Sequence, residues 1–185
     1  MNKKTFILPF FKWTSICLLI GLLVGTASAF FLFSLDMVTT WREKHLWIIY
    51  FLPIAGLVIG LLYHYYGAEA NKGNNLLIET HRSGHKKIPI SMAPLVYIST
   101  ILTHLAGGSA GREGTAVQMG GAIADQFTSV FSLNATERKT LLIIGVSAGF
   151  AAVFGTPLAG AIFAFEIMLL KNTRLMSLDL GTLLA

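Results

Sequence analysis

Apolar residues in this chain come in long unbroken runs. They show neither the alternation of a half-buried strand nor the narrow stripe of a surface helix. From Trp13 to Leu35 no charged residue appears. A bilayer is crossed by about 20 apolar residues, so this run is long enough to span one. A signal peptide competes with that reading, because Lys3 and Lys4 precede the run and Ala27-Ser28-Ala29 resembles a cleavage site. Signal-peptide cores stop at about 15 apolar residues. This run continues through Phe30, Phe31, Leu32 and Phe33, and is read as a retained helix. A second run, Leu46 to Tyr66, contains Pro53, which predicts a kink whose freed carbonyl neighbouring helices would satisfy. Gly21 with Gly25, and Gly56 with Gly60, make small-xxx-small steps suited to close helix contact in lipid.

A polar segment runs from Gly67 to Lys87, where a solvated loop is expected around His81 and His85. A third apolar stretch covers Ile88 to Ala106, with Pro89 and Pro94 suited to its beginning. From Gly107 to Thr115 the pattern breaks. Thr115 to about Phe131 then reads as a helix, with Ala116, Gly120 and Ala124 on one stripe. Asn134 to Lys139 reads as a short polar link. Leu141 to Leu170 is too long for one span and breaks at Gly155-Thr156-Pro157, so two shorter helices are predicted, the second opening at Pro157. The class is all-α: a polytopic membrane protein with interrupted helices, treated as one transmembrane domain over residues 1–185.

Composition agrees. The chain is 54% hydrophobic and 12% charged, about half the charge of a soluble domain. Its net charge of +5 is scattered between the apolar runs, which argues against a nucleic-acid partner. Lys3, Lys4 and Lys12, together with Lys72, Arg82, Lys86 and Lys87, place the N-terminus and the 67–87 segment in the cytoplasm of a plasma-membrane protein. Cys17 is the only cysteine, which excludes an internal disulfide and a cysteine-based metal site. The five histidines lack paired ligand spacing, so no metal or other cofactor is expected. No nucleophile–base pair points to an enzyme. The Gly107–Thr115 stretch lacks the Gly-Lys-Ser/Thr ending of a phosphate-binding loop.

Broken helices at membrane depth persist where backbone is buried in protein or lines a cavity. Three breaks are followed by helix starts: Gly73-Asn74-Asn75, Gly111-Arg112-Glu113 and Gly155-Thr156-Pro157. Helix starts carry free N–H donors and partial positive charge, so several aimed at one point would hold an anion. Ionisable residues inside a membrane are functional candidates, and here they are Arg112, Glu113, Asp125 and Glu166. Glu113, flanked by such donors, could occupy the anion site itself. Protonated, it would swing away, both gating the path and carrying a proton. The alternative is a structural ion pair with Arg112. Asp125 and Glu166 suit helix-end salt bridges as well as ion handling.

Gly111-Arg112-Glu113-Gly114-Thr115 resembles the Gly-Arg-Glu-Gly-Pro signature of the CLC chloride channels and proton-coupled exchangers. The block from Gly145 to Glu166, including Gly155-Thr156-Pro157-Leu-Ala-Gly160, is similar to that family's next motif. The resemblance implies a homodimer of all-helical subunits, each built from two inverted halves around its own anion pathway. This sequence corresponds to the first half; the second would add another helix start and, in chloride-type members, a coordinating tyrosine. Asn74 stands where chloride-type members place a serine, Thr115 replaces the signature proline, and Ile167 replaces an inner proton-relay glutamate. These departures resemble the bacterial branch that exchanges fluoride for protons. An amide N–H₂ donor at Asn74 suits a small, strongly hydrated anion better than a hydroxyl with competing acceptors. The implied anion-binding set is Asn74, Asn75, Gly111, Arg112, Gly114 and Thr115, with Glu113 as gate and with Gly155, Thr156, Pro157 and Glu166 in supporting positions. The expected cargo is fluoride, with chloride as the alternative. A fragment that needs a separate C-terminal half is a further alternative.

Overall fold

The computed structural model describes residues 3–169 apart from His85. It is helical throughout, with no strand among the described residues. The helices are α1 (Lys3–Glu43), α2 (Leu52–Tyr66), α3 (Asn74–Ser83), α4 (Met92–Leu105), α5 (Arg112–Val130), α6 (Ala135–Phe154) and α7 (Pro157–Leu169). Short 3₁₀ turns at Leu46–Phe51 and Ala68–Lys72 lead into α2 and α3.

α1 buries one face, Ile16, Ile20, Val24, Phe31 and Leu35, at helical spacing against α4, α5 and α6. Its other face, including Leu18, Leu22, Phe30 and Phe33, is exposed. α2 is apolar yet buries none of its residues. In lipid such faces cost nothing, because acyl chains are as apolar as leucine. Pro9–Glu43 of α1, and the 3₁₀ turn and α2 taken together as Leu46–Tyr66, are each long and apolar enough to cross a membrane.

α5 and α6 form the centre. Their small residues meet so closely that a Cβ on Gly120 would strike the Gly145 carbonyl, and one on Gly149 would strike the Ala116 carbonyl. The Ala116–Gly120–Ala124 stripe is therefore a backbone-to-backbone seam. Gly21, Gly25, Gly56 and Gly60 behave differently: a Cβ on any of them would meet nothing within 4 Å, so among the described residues these steps do not pack helices together.

Three sequence expectations change. Pro53 lies in the first turn of α2, where a missing N–H costs nothing; it starts a helix after a 3₁₀ turn and does not kink a longer one. The solvated loop expected around His81 and His85 is corrected at His81, which α3 buries together with Leu76, Leu77, Ile78 and Thr80, while His85 lies outside the described residues. Asn134–Lys139 is not a link but the first turn of α6. Asn134 Oδ1 accepts the N–H groups of Thr136 and Glu137 at 3.0 and 2.9 Å, and Glu137 Oε2 accepts the Asn134 N–H at 3.0 Å. This reciprocal box turns a polar stretch into a helix start. The break between α6 and α7 falls where predicted: Gly155 ends α6 with φ 67°, and Pro157 opens α7.

Candidate functional site

The starts of α3 and α5 come together. Gly73 precedes α3 with φ 54° and ψ −134°, a conformation essentially closed to residues bearing a Cβ. It turns the chain sharply into α3 and, lacking a side chain, leaves the helix start without a side-chain cap. Gly111 does the same for α5 from an extended conformation, φ −72° and ψ 119°. Being glycines, neither N-cap residue offers a side-chain acceptor to the first donors of its helix.

Gly114 faces α3 across a gap. A Cβ placed there would lie 3.9 Å from Asn74 Nδ2 and 4.0 Å from Gln118 Nε2. Asn74 Oδ1 is buried with no hydrogen-bond partner. Asn75 is exposed beside it.

Glu113 is half-buried in the first turn of α5. Its Oε2 stands 3.1 Å from where a Cβ on Gly111 would be, so the carboxylate curls back over the start of its own helix. Negative charge is favoured there by the helix dipole. Among the described residues Glu113 makes no ion pair with Arg112, and Arg112 is exposed, which removes the structural ion-pair reading. Thr115 is only 3% exposed, and its hydroxyl donates to the Gly111 carbonyl at 3.2 Å while pairing with Thr100 Oγ1 at 2.7 Å. That hydroxyl ties α4 to the start of α5.

The third break is placed differently. No described residue approaches within 4 Å of a Cβ on Gly155, and Thr156, Pro157 and Glu166 are exposed. The structure therefore brings together two of the three predicted helix starts.

Two groups escaped the sequence reading. Gln118 lies one turn beyond Gly114 and closes the gap from the α5 side. Arg138 forms a buried clamp with Asp125: its Nε donates to Oδ1 at 2.6 Å and one terminal nitrogen donates to Oδ2 at 2.7 Å. Arg138 also donates to the carbonyls of Gly84 and Lys86, and Asp125 accepts the Ile88 N–H. This settles Asp125 as a salt-bridging residue that pins the α3–α4 connection to α5 and α6. Nothing in the sequence announced a partner thirteen positions away. For Gln118 the available signal was an uncharged polar residue in an otherwise apolar and small-residue helix.

Chemically, the site offers two helix starts, two carboxamides around a glycine gap, and a carboxylate folded over one of the starts. That combination suits a small anion and a proton.

The comparisons with known proteins agree. Residues 55–180 match the family described as voltage gated chloride channel. A chloride/fluoride channel protein of Pseudomonas syringae pv. tomato is 52% identical over 169 residues, covering 91% of this chain and 37% of that protein. An H(+)/Cl(-) exchange transporter ClcA of Vibrio cholerae is 32% identical over 165 residues, covering 82% of this chain and 35% of that protein. The crystal structure of a CLC-type fluoride/proton antiporter superposes with TM-score 0.79 at 41% identity, over 85% of this chain and 40% of that one. The chain spans well under half the length of these relatives. With the family match covering most of its residues, the signature around Glu113 in place and the helices superposing on a solved member, the chain belongs to the voltage-gated chloride channel (CLC) family.

Proposed function

We propose that this chain is the N-terminal half of a membrane anion transporter that exports fluoride in exchange for protons, with Glu113 as gate and proton carrier. The observation that carries the reading is the Glu113 carboxylate, unpaired with Arg112 and folded over the uncapped start of α5. There it occupies the place an anion would take. Protonation removes its charge and frees that place; release of the proton on the other side restores the block. Asn74 lines the site with its carboxamide, while Asn75, Gly111, Arg112 and Gly114 contribute backbone donors. Thr115 holds the loop in shape. Gly155, Thr156, Pro157 and Glu166 would join the pathway only once a second half covers them.

The names of the Pseudomonas syringae relative and of the solved antiporter support fluoride. The Vibrio cholerae relative, named as a chloride exchanger, supports a second reading with chloride as cargo. In either case we propose one transmembrane domain over 1–185, a homodimeric assembly, and a plasma-membrane location with the N-terminus cytoplasmic.

The test is ion efflux from liposomes loaded with fluoride or chloride, with external pH followed. The chain is used alone and joined to the remaining part of the Pseudomonas syringae relative. Fluoride efflux with opposing proton movement is expected from the joined form, and Glu113→Gln should bring the proton movement to background. Equal chloride and fluoride flux would favour the second reading. Proton coupling that survives Glu113→Gln would overturn the role given to Glu113.

A further inference from the structure

Gln118 follows Gly114 by four residues on α5, so the two share a face. Its Nε2 lies 3.5 Å, and its Oε1 3.8 Å, from where a Cβ on Gly73 would stand. The same nitrogen lies 4.0 Å from a Cβ position on Gly114, and Asn74 Nδ2 lies 3.9 Å from that position. Two carboxamide nitrogens, one from each helix, thus flank one small gap whose walls are glycine.

Neither amide is satisfied by the protein. Gln118 is half-buried and makes no hydrogen bond among the described residues, and Asn74 Oδ1 is buried without a partner. The internal control is Gln126, two turns further along the same helix. Its Nε2 donates to the Ile88 carbonyl at 3.0 Å and to the Ala122 carbonyl at 2.9 Å. A glutamine placed for structure on α5 finds its partners. Among the described residues neither amide nitrogen has a protein acceptor, so two unspent N–H₂ donors face one gap and point to a missing acceptor. A carboxamide turns end for end at little cost, so each can present N–H₂ to whatever enters.

We propose that Gln118 is a specificity-determining residue. With Asn74 it forms a pair of amide donors that clasp a small, strongly hydrated anion against Gly114, replacing the water such an anion loses. The inference rests on the anion path proposed above. A larger, weakly hydrated anion gains less from the clasp, so the pair sets preference among halides while Glu113 sets proton coupling.

Efflux of fluoride and chloride from liposomes by the joined protein tests this, comparing wild type with Gln118→Met, which keeps length and loses both donor and acceptor. The expected result is an apparent KM for fluoride raised about tenfold or more, as for loss of a charge-assisted hydrogen bond. Fluoride-over-chloride preference should fall, with the proton-to-fluoride ratio unchanged. Gln118→Glu serves as a second variant should the methionine form fail to fold: fluoride flux should be suppressed at neutral pH and recover in acid as the new carboxyl is protonated. Wild-type KM and selectivity in a folded Gln118→Met protein, or unsuppressed neutral-pH flux in Gln118→Glu, would overturn the role of Gln118 alone. A wild-type protein that moves neither ion would overturn the anion path and this inference with it.

Discussion

At the C-terminal end of α5, Asp125 accepts two bonds from Arg138 and one from Ile88, Arg138 also donates to two carbonyls, and Gln126 bridges two more. At the N-terminal end of the same helix, among the described residues, Glu113 has no ion pair, Gln118 has no hydrogen bond, and the facing Asn74 Oδ1 is buried unpartnered. Both ends have a carboxylate, a glutamine and an arginine at hand, Arg138 reaching over from α6. The closed network holds elements in place. The open one stores unmet hydrogen-bonding capacity where a ligand can use it.

Breaking the closed end should show in stability. Removing one partner strands a buried charge, so Arg138→Met should destabilise by about 3–5 kcal/mol, measured by thermal unfolding in detergent. Glu113→Gln at the open end should leave the unfolding temperature near wild type while abolishing proton coupling. Equal losses of stability in the two variants would erase the contrast.

Gly73→Ala comes next, at roughly 1–3 kcal/mol for a side chain forced into a glycine-only conformation. It should also displace Asn74 and lower fluoride flux out of proportion to the loss of folded protein.

Helix starts sharpen the same comparison. Asn134→Ala should cost about 1 kcal/mol by opening the α6 box, with flux unchanged per folded molecule. Gly111→Asp offers α5 the cap it lacks but sets a second carboxylate beside Glu113 Oε2, which stands 3.1 Å from the new Cβ, so stability should change by no more than a few tenths of a kcal/mol. Its carboxylate would sit where the proposed anion would, so flux should fall with little change in stability.

The smallest effect is one of pH. The Lys12 ammonium, bonded to Glu137 at 2.7 Å, holds that carboxyl below its ordinary value of 4.5, helped by the Asn134 N–H. Because the folded value is the lower one, the α6 cap contributes fully above the unfolded value and is lost as pH falls through the folded one. An acid titration of unfolding should show Glu137→Gln converging on wild type at the acid end, while the two differ at neutral pH.

What could be read from the sequence were features with a local cause. Gly155 and Pro157 mark the α6–α7 break by backbone geometry alone. The Ala116–Gly120–Ala124 spacing marks a packing face, and Glu113 stands out as a charge between glycines. Asn134 and Glu137 also had a local signature, the three-residue spacing of a capping box, but the surrounding charges made the stretch look like a linker. The burial of His81 and the Arg138–Asp125 clamp depend on chain segments meeting from far apart, and no local pattern encodes that. Gln118 differs from Gln126 only in what lies across from it.

The seam between α5 and α6 has a mechanical consequence. Where backbone rests on backbone, with no flexible side chains between to give way, the two helices behave as one rigid post. If Glu113 is the gate proposed above, it would open by rotation about its own side-chain bonds and would not need the collective shift of helices that takes microseconds to milliseconds. On that proposal the clock would be the arrival of the proton, and the frame would have only to stay still while it waits.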